Sequence, residues 1–148
     1  MPCQCFPLNT LQEYRYVVVL SRYEEQILLS RHKKRSTWET QGGHIEPGET
    51  PLESAKRELF EESGAVDFEM VPLCDYRAWD DQGGANGVVF FADIHCLEPI
   101  PQSEMAETKR FDTLPDCLTY PAITPVLFDY AAEYFRKQEV NWKWGQLI

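Results

Sequence analysis

Apolar positions recur with two different periods along this 148-residue chain, and each period predicts its own kind of element. Residues 14–20 (YRYVVVL) are dense in β-branched and aromatic side chains, the composition of a buried strand. A polar turn at Tyr23, Glu24 and Glu25 follows, and residues 26–30 (QILLS) read as the returning strand. Residues 31–35 (RHKKR) form a basic loop, 38–41 (WETQ) a short extended piece, and Gly42 and Gly43 its end. Further on, 68–76 and 88–94 have strand character, with turn chemistry at 83–87 (GGANG) between them. Pro99 and Pro101 open a loop that reaches Phe111. From Ile123 to about Gln138, Val126, Leu127, Tyr130, Ala131 and Tyr134 recur at the spacing of an amphipathic closing helix. Strands mixed with two principal helices predict an α/β sandwich. With no repeat or low-complexity linker, residues 1–148 read as one compact domain.

The first helix has the clearest local signals. Thr50 suits an N-cap, Pro51 the first helical position and Glu53 the third residue of a capping box. Leu52, Ala55 and Leu59 mark its apolar stripe, Glu53 and Arg57 are spaced for an i,i+4 ion pair, and Gly64 is placed to stop it. On this helix Glu58, Glu61 and Glu62 stand at i, i+3 and i+4. Glu62 lies about 40° from Glu58, and Glu61 about 60° to the other side. Three carboxylates therefore share one face, while Lys56 and Arg57 are expected to point elsewhere. Like charges so spaced repel, and a hard divalent cation, Mg²⁺ or Mn²⁺, would relieve them.

Composition narrows the function. The chain has 14 basic and 24 acidic residues, a formal charge of −10, which disfavours nucleic-acid polymers and anionic membranes. A single nucleotide stays open, because a bound metal ion reverses the sign of a site. No stretch approaches the roughly 20 apolar residues of a bilayer span, and the N-terminus lacks the pattern of a secretion signal. Cys3, Cys5, Cys74, Cys96 and Cys117 are an odd, scattered set that fits free thiols in a reducing cytoplasm better than a disulfide framework, with metal binding by Cys3 and Cys5 the lesser alternative.

From Gly43 to Ala65 the chain reads GHIEPGETPLESAKRELFEESGA. This resembles the signature of the Nudix hydrolases, G-x5-E-x7-REUxEExGU, with Gly43, Glu49, Arg57, Glu58, Leu59, Glu61, Glu62, Gly64 and Ala65 on its constrained positions. The resemblance implies a loop–helix–loop catalytic motif on a mixed-sheet α/β/α sandwich, and Mg²⁺-dependent hydrolysis of a diphosphate linkage in a nucleotide. It implies Glu58, Glu61 and Glu62 as metal ligands, joined by the carbonyl of Gly42. Glu61 or Glu58 would accept the water proton, and Glu49 and Arg57 would form a supporting pair. A further acidic ligand is expected from Glu104 or Glu107, with preference for Glu107.

Substrate-binding candidates are Arg31, Lys33 and Arg35 for the phosphates, and Trp38, Trp79 and Phe111 for the base. Tyr76 and Phe90 are further possible platforms, and Asp80, Asp81 and Asn86 are candidates for hydrogen bonds to a purine edge. Trp142 and Trp144 in the tail would cap the core or form a dimer contact. The expected substrate is a nucleoside triphosphate, including an oxidised purine such as 8-oxo-dGTP, handled by a monomer or homodimer. ADP-ribose, a dinucleoside polyphosphate or a capped RNA end are alternatives within the family. A catalytically silent nucleotide sensor is the alternative outside enzymology, and it would be expected to lack one of the motif glutamates.

Overall fold

The computed structural model describes residues 2–138. Seven strands and two helices follow in the order β1 (Cys3–Phe6), β2 (Tyr14–Tyr23), β3 (Gln26–His32), β4 (Gln41–His44), α1 (Pro51–Ser63), β5 (Ala65–Asp80), β6 (Gly83–Leu97), β7 (Met105–Phe111) and α2 (Thr124–Lys137). One sheet has the order β1-β5-β6-β2-β3-β7, with β4 attached to β2. β2 and β6 run parallel, and the other pairs are antiparallel.

Strand alternation explains why helices cover both faces. Along β6, Val88, Phe90, Ala92 and Ile94 join Ala55 and Leu59 of α1 in one core cluster. Val89 and Phe91 point the other way, toward Leu127, Phe128, Ala131 and Phe135 of α2. β3 divides in the same manner, with Leu28 in the first cluster and Ile27 and Leu29 in the second. The result is an α/β/α sandwich on a mixed sheet. No helix among the described residues is long and apolar enough to cross a membrane.

Several local expectations change. Gly42 and Gly43 do not end the extended piece but lie inside β4, paired with Val18 and Val17. Arg31 and His32 belong to the end of β3 rather than to a loop. Residues 83–87 are strand, not turn. The reversal falls at Asp81 and Gln82, and a Cβ on Gly87 would stand 2.3 Å from the Tyr76 ring. Glycine is there for close packing. The second half of the loop expected up to Phe111 is the edge strand β7, whose alternation is hidden because Met105 alone in it is buried. Nothing in the sequence pattern marks β1. Leu52 is 40% exposed and leaves the apolar stripe of α1, where Ser54, Ala55, Leu59 and Ser63 are the buried residues. Trp142 and Trp144 lie outside the described residues.

On β5 a buried carboxylate pins the N-terminal segment. Asp75 accepts hydrogen bonds from the backbone N–H of Thr10 (3.0 Å) and Leu11 (2.9 Å) and from the Tyr14 hydroxyl (2.6 Å). Asp75→Ala strands these donors and should destabilise the protein by about 2–5 kcal/mol in urea titration. A loss under about 0.5 kcal/mol would show that the segment does not need its anchor.

Candidate active site

The candidate site starts with a well-terminated helix. Thr50 caps α1 through a complete capping box with Glu53, Pro51 occupies the first turn, and Gly64 closes the helix at φ 81°. Glu53 is thereby committed to Thr50, and the ion pair with Arg57 that the i,i+4 spacing predicts does not form. Arg57 turns the other way. Its Nε and Nη2 donate to the two oxygens of Glu49 at 2.7 and 2.9 Å, and Nη2 also reaches the His44 carbonyl at 3.2 Å.

The same guanidinium corrects the expectation that no cation meets the acidic face. Nη1 reaches Glu58 at 2.9 Å and Glu61 at 3.3 Å, because a side chain of that length folds back over the next turn once Glu49 holds its far edge. Hydrogen bonding from Arg57 holds the Glu49 carboxyl down to about 2.

Two glycines receive the other ends of the carboxylates. Glu62 accepts the Gly42 N–H at 2.7 Å. A Cβ on Gly43 would stand 2.7 Å from a Glu58 oxygen, so the glycine clears space for that carboxylate. Burial pushes the Glu62 carboxyl up to about 8 against the pull of the Gly42 hydrogen bond, with Glu58, Glu39 and Glu61 adding repulsion. Burial also raises Glu58, opposed by Arg57. Carboxylates crowded at such a cost, with oxygen as their only donor atoms, fit a hard divalent cation. Elsewhere, Glu69, Asp93 and His95 bring ligand atoms within 4.8 Å of one another on β5 and β6, with Asp93 paired to Arg22 at 3.2 Å.

From Glu62 and the two glycines a cleft of about 700 Å³ runs between β2, β4, the β5–β6 turn and the start of α2. Tyr16, Tyr76, Trp79 and Tyr120 supply aromatic wall, and His32, Arg35, Glu39 and Glu104 supply charge or polarity. Trp79 and Arg35, singled out in the sequence, are therefore at the cleft. Trp38 and Phe111 are not among its lining residues; their rings pack edge to face at 5.3 Å against the α2-side core. Arg31 and Glu107 hold each other at 2.9 Å across β3 and β7, and neither lines the cleft, nor does Lys33. Of the two acidic candidates before Phe111, the structure brings Glu104 to the cleft, where it lies 3.6 Å from His32.

Sequence reasoning missed Glu39, which is 8% exposed at the cleft floor. An isolated acid inside an extended segment next to a tryptophan was the available signal. It also missed Gln41, fully buried and bonded to Ser21 (2.6 Å) and Ser30 (2.9 Å), which ties β4 to the sheet beneath the site.

Residues 12–116, which hold β2 to β7 and the whole acidic helix, match the model of the NUDIX domain. The chain belongs to this family. Among Nudix relatives, Bacillus subtilis YtkD, provisionally named an 8-oxo-dGTP diphosphatase, is 34% identical over 108 residues, covering 71% of this chain and 66% of that protein. An RNA pyrophosphohydrolase of Francisella philomiragia is 31% identical over 62 residues, covering 42% of this chain and 40% of its own length. The Nudix fold itself is shared with the B. subtilis pyrophosphohydrolase BsRppH, solved as a point mutant. That match has TM-score 0.75 at 24% identity, over 88% of this chain and 90% of the other. A UDP-X diphosphatase follows at TM-score 0.71 and 20% identity, over 90% and 68%. The match thus spans under two thirds of either sequence relative.

Proposed function

We propose that this Nudix domain hydrolyses a phosphoric anhydride bond with a divalent cation, Mg²⁺ or Mn²⁺, and that its substrate is a nucleoside triphosphate, released as nucleoside monophosphate and pyrophosphate. The observation that carries this reading is the half-buried Glu62 carboxyl, pinned to the Gly42 N–H beside Glu58 at the end of an aromatic-walled cleft. Glu58, Glu61 and Glu62 would hold the cation, with the Gly42 carbonyl and Glu104 or Glu107 as further ligands. Bound there, the cation supplies charge neutralisation and Lewis-acid polarisation of the phosphoryl group. Glu58 or Glu61 accepts the proton of the attacking water. Arg57, anchored at two points on Glu49, orients both of these acids. Trp79 and Tyr16 offer faces for a base, and Arg35 offers charge for the phosphates.

The relatives' names support two substrate classes, an oxidised purine nucleoside triphosphate and an RNA. The formal charge of −10 favours the free nucleotide. A screen with Mg²⁺ and with Mn²⁺ over ordinary and oxidised nucleoside triphosphates, ADP-ribose, dinucleoside polyphosphates and 5′-triphosphate RNA tests the reading. Release of pyrophosphate from a nucleoside triphosphate is the expected result. Turnover confined to ADP-ribose or to RNA overturns the substrate, and no turnover of any compound favours a silent nucleotide-binding domain.

A further inference from the structure

The basic run that ends β3 and leads toward β4 is divided by the fold between residues at the cleft and residues away from it. Arg31 is taken by Glu107, and its Nη1 also donates to the Arg35 carbonyl at 3.0 Å. Lys33 and Lys34 lie away from the cleft lining, whereas Arg35 is part of it. Arg35 Nη1 donates to Glu39 Oε1 at 3.0 Å, and its side chain remains 43% exposed.

Glu39 is itself held on all sides. Its backbone exchanges hydrogen bonds with Ser30 at 2.8 and 2.9 Å, and the Thr119 hydroxyl donates to the same Oε1 at 3.0 Å. Thr119 in turn meets Thr37 at 2.7 Å. A half-exposed ion pair adds little to stability, and Glu39 also brings one more negative charge toward Glu62. That placement is unfavourable for folding alone. It makes sense if the purpose is to fix a guanidinium, which the Tyr120 side chain also reaches, at the cleft where a ligand can meet it.

We propose that Glu39 is a positioning residue that fixes Arg35 to receive a terminal phosphate, so that the site favours nucleotides ending in a free phosphate over diphosphates esterified at both ends. This rests on the pyrophosphohydrolase reading above. A terminal phosphate carries a second charge and three non-bridging oxygens, which match the parallel N–H groups of a guanidinium. In ADP-ribose each phosphorus carries a single charge, and those oxygens are the ones needed at the acidic helix. Without Glu39, Arg35 would lose rotamer freedom on binding and the grip would weaken.

The test compares the full chain with Arg35→Ala, Arg35→Lys, Glu39→Gln and the Arg35→Ala/Glu39→Gln double variant, with Mg²⁺ present. KM for a nucleoside triphosphate should rise about tenfold or more in Arg35→Ala and Glu39→Gln, by more than kcat falls. The double variant should be no worse than Arg35→Ala, and Arg35→Lys should recover part of the loss. The affinity of ADP-ribose, measured by competition or calorimetry, should change less than about threefold. Equal weakening of both ligands, an unchanged KM in Arg35→Ala, or a Glu39→Gln protein with lower Tm and normal KM would each overturn the inference. If the unmodified chain hydrolyses nothing, the catalytic reading falls. Calorimetric Kd values for the triphosphate and ADP-ribose across the same variants then decide the Arg35 role by the same criteria.

Discussion

Glu62→Gln is expected to lower turnover by about a thousandfold or more, because a ligand worth several kcal/mol of transition-state charge stabilisation is lost. The fold should survive, since glutamine keeps the shape and can still accept the Gly42 N–H. Stability should respond to pH in a particular direction. The Glu62 carboxyl sits at about 8 in the metal-free fold against an ordinary value of 4.5. A raised acid means that the native state holds a proton that the unfolded chain has released. Its contribution is therefore fully present below about pH 4.5 and is lost as pH rises toward 8. Glu62→Gln removes that decline, so the metal-free variant should have the higher Tm at pH 8 and above.

Cation binding needs the ionised form, so Mg²⁺ affinity should climb with pH up to about 8, by at most about tenfold per pH unit, and then level off. Calorimetry at pH 6, 7 and 8 measures this. A flat profile, or near-normal turnover in Glu62→Gln, would place the cation elsewhere.

Gly42→Ala, one residue ahead of the motif, should be among the most damaging small substitutions around the acidic helix. At φ 150° a Cβ would stand 2.3 Å from the Val17 carbonyl oxygen and 3.1 Å from the Val18 Cα, and neither backbone atom can swing aside. β4 must lift from β2 at the point where Gly42 reaches Glu62. Backbone strain and overpacking together should cost about 2–6 kcal/mol, and turnover should fall even well below the melting transition. Gly48 provides a control, since a Cβ there meets nothing within 4 Å and only φ 85° opposes it. Gly48→Ala should destabilise by about 1 kcal/mol. Similar urea midpoints for the two variants would show that the strand contact at Gly42 is not tight.

What could be read in advance was what depends on near neighbours in sequence. Thr50, Pro51, Glu53 and Gly64 define α1 through bonds within a few residues, and the helix has those bounds. The alternation in VVFFADI similarly fixes which side chains face each helix layer. The errors share another cause. Glycine marks a turn and a tight packing contact equally well, and only the position of Tyr76 separates the two at Gly87. Edge strand β7 carries charge on both faces, so its pattern resembles a loop. Arg57 and Glu39 were misjudged or missed because their partners, Glu49 and Thr119, are fixed by rotamer and tertiary contact rather than by helical spacing.

The parallel pairing of β2 with β6 also constrains how the chain acquires its shape. Val17 must wait for Val88, so the central ladder closes only after the intervening strands and helix have left the ribosome. Contacts that distant in sequence slow folding, because a long loop is ordered before it is rewarded. During synthesis, the apolar side of α1 exists before the β6 residues that complete its burial. Completion of the sheet under the acidic site is therefore a late event, and a chain stopped before residue 88 would possess the whole motif with only Val17, Val19 and Leu28 of the central sheet to seat it.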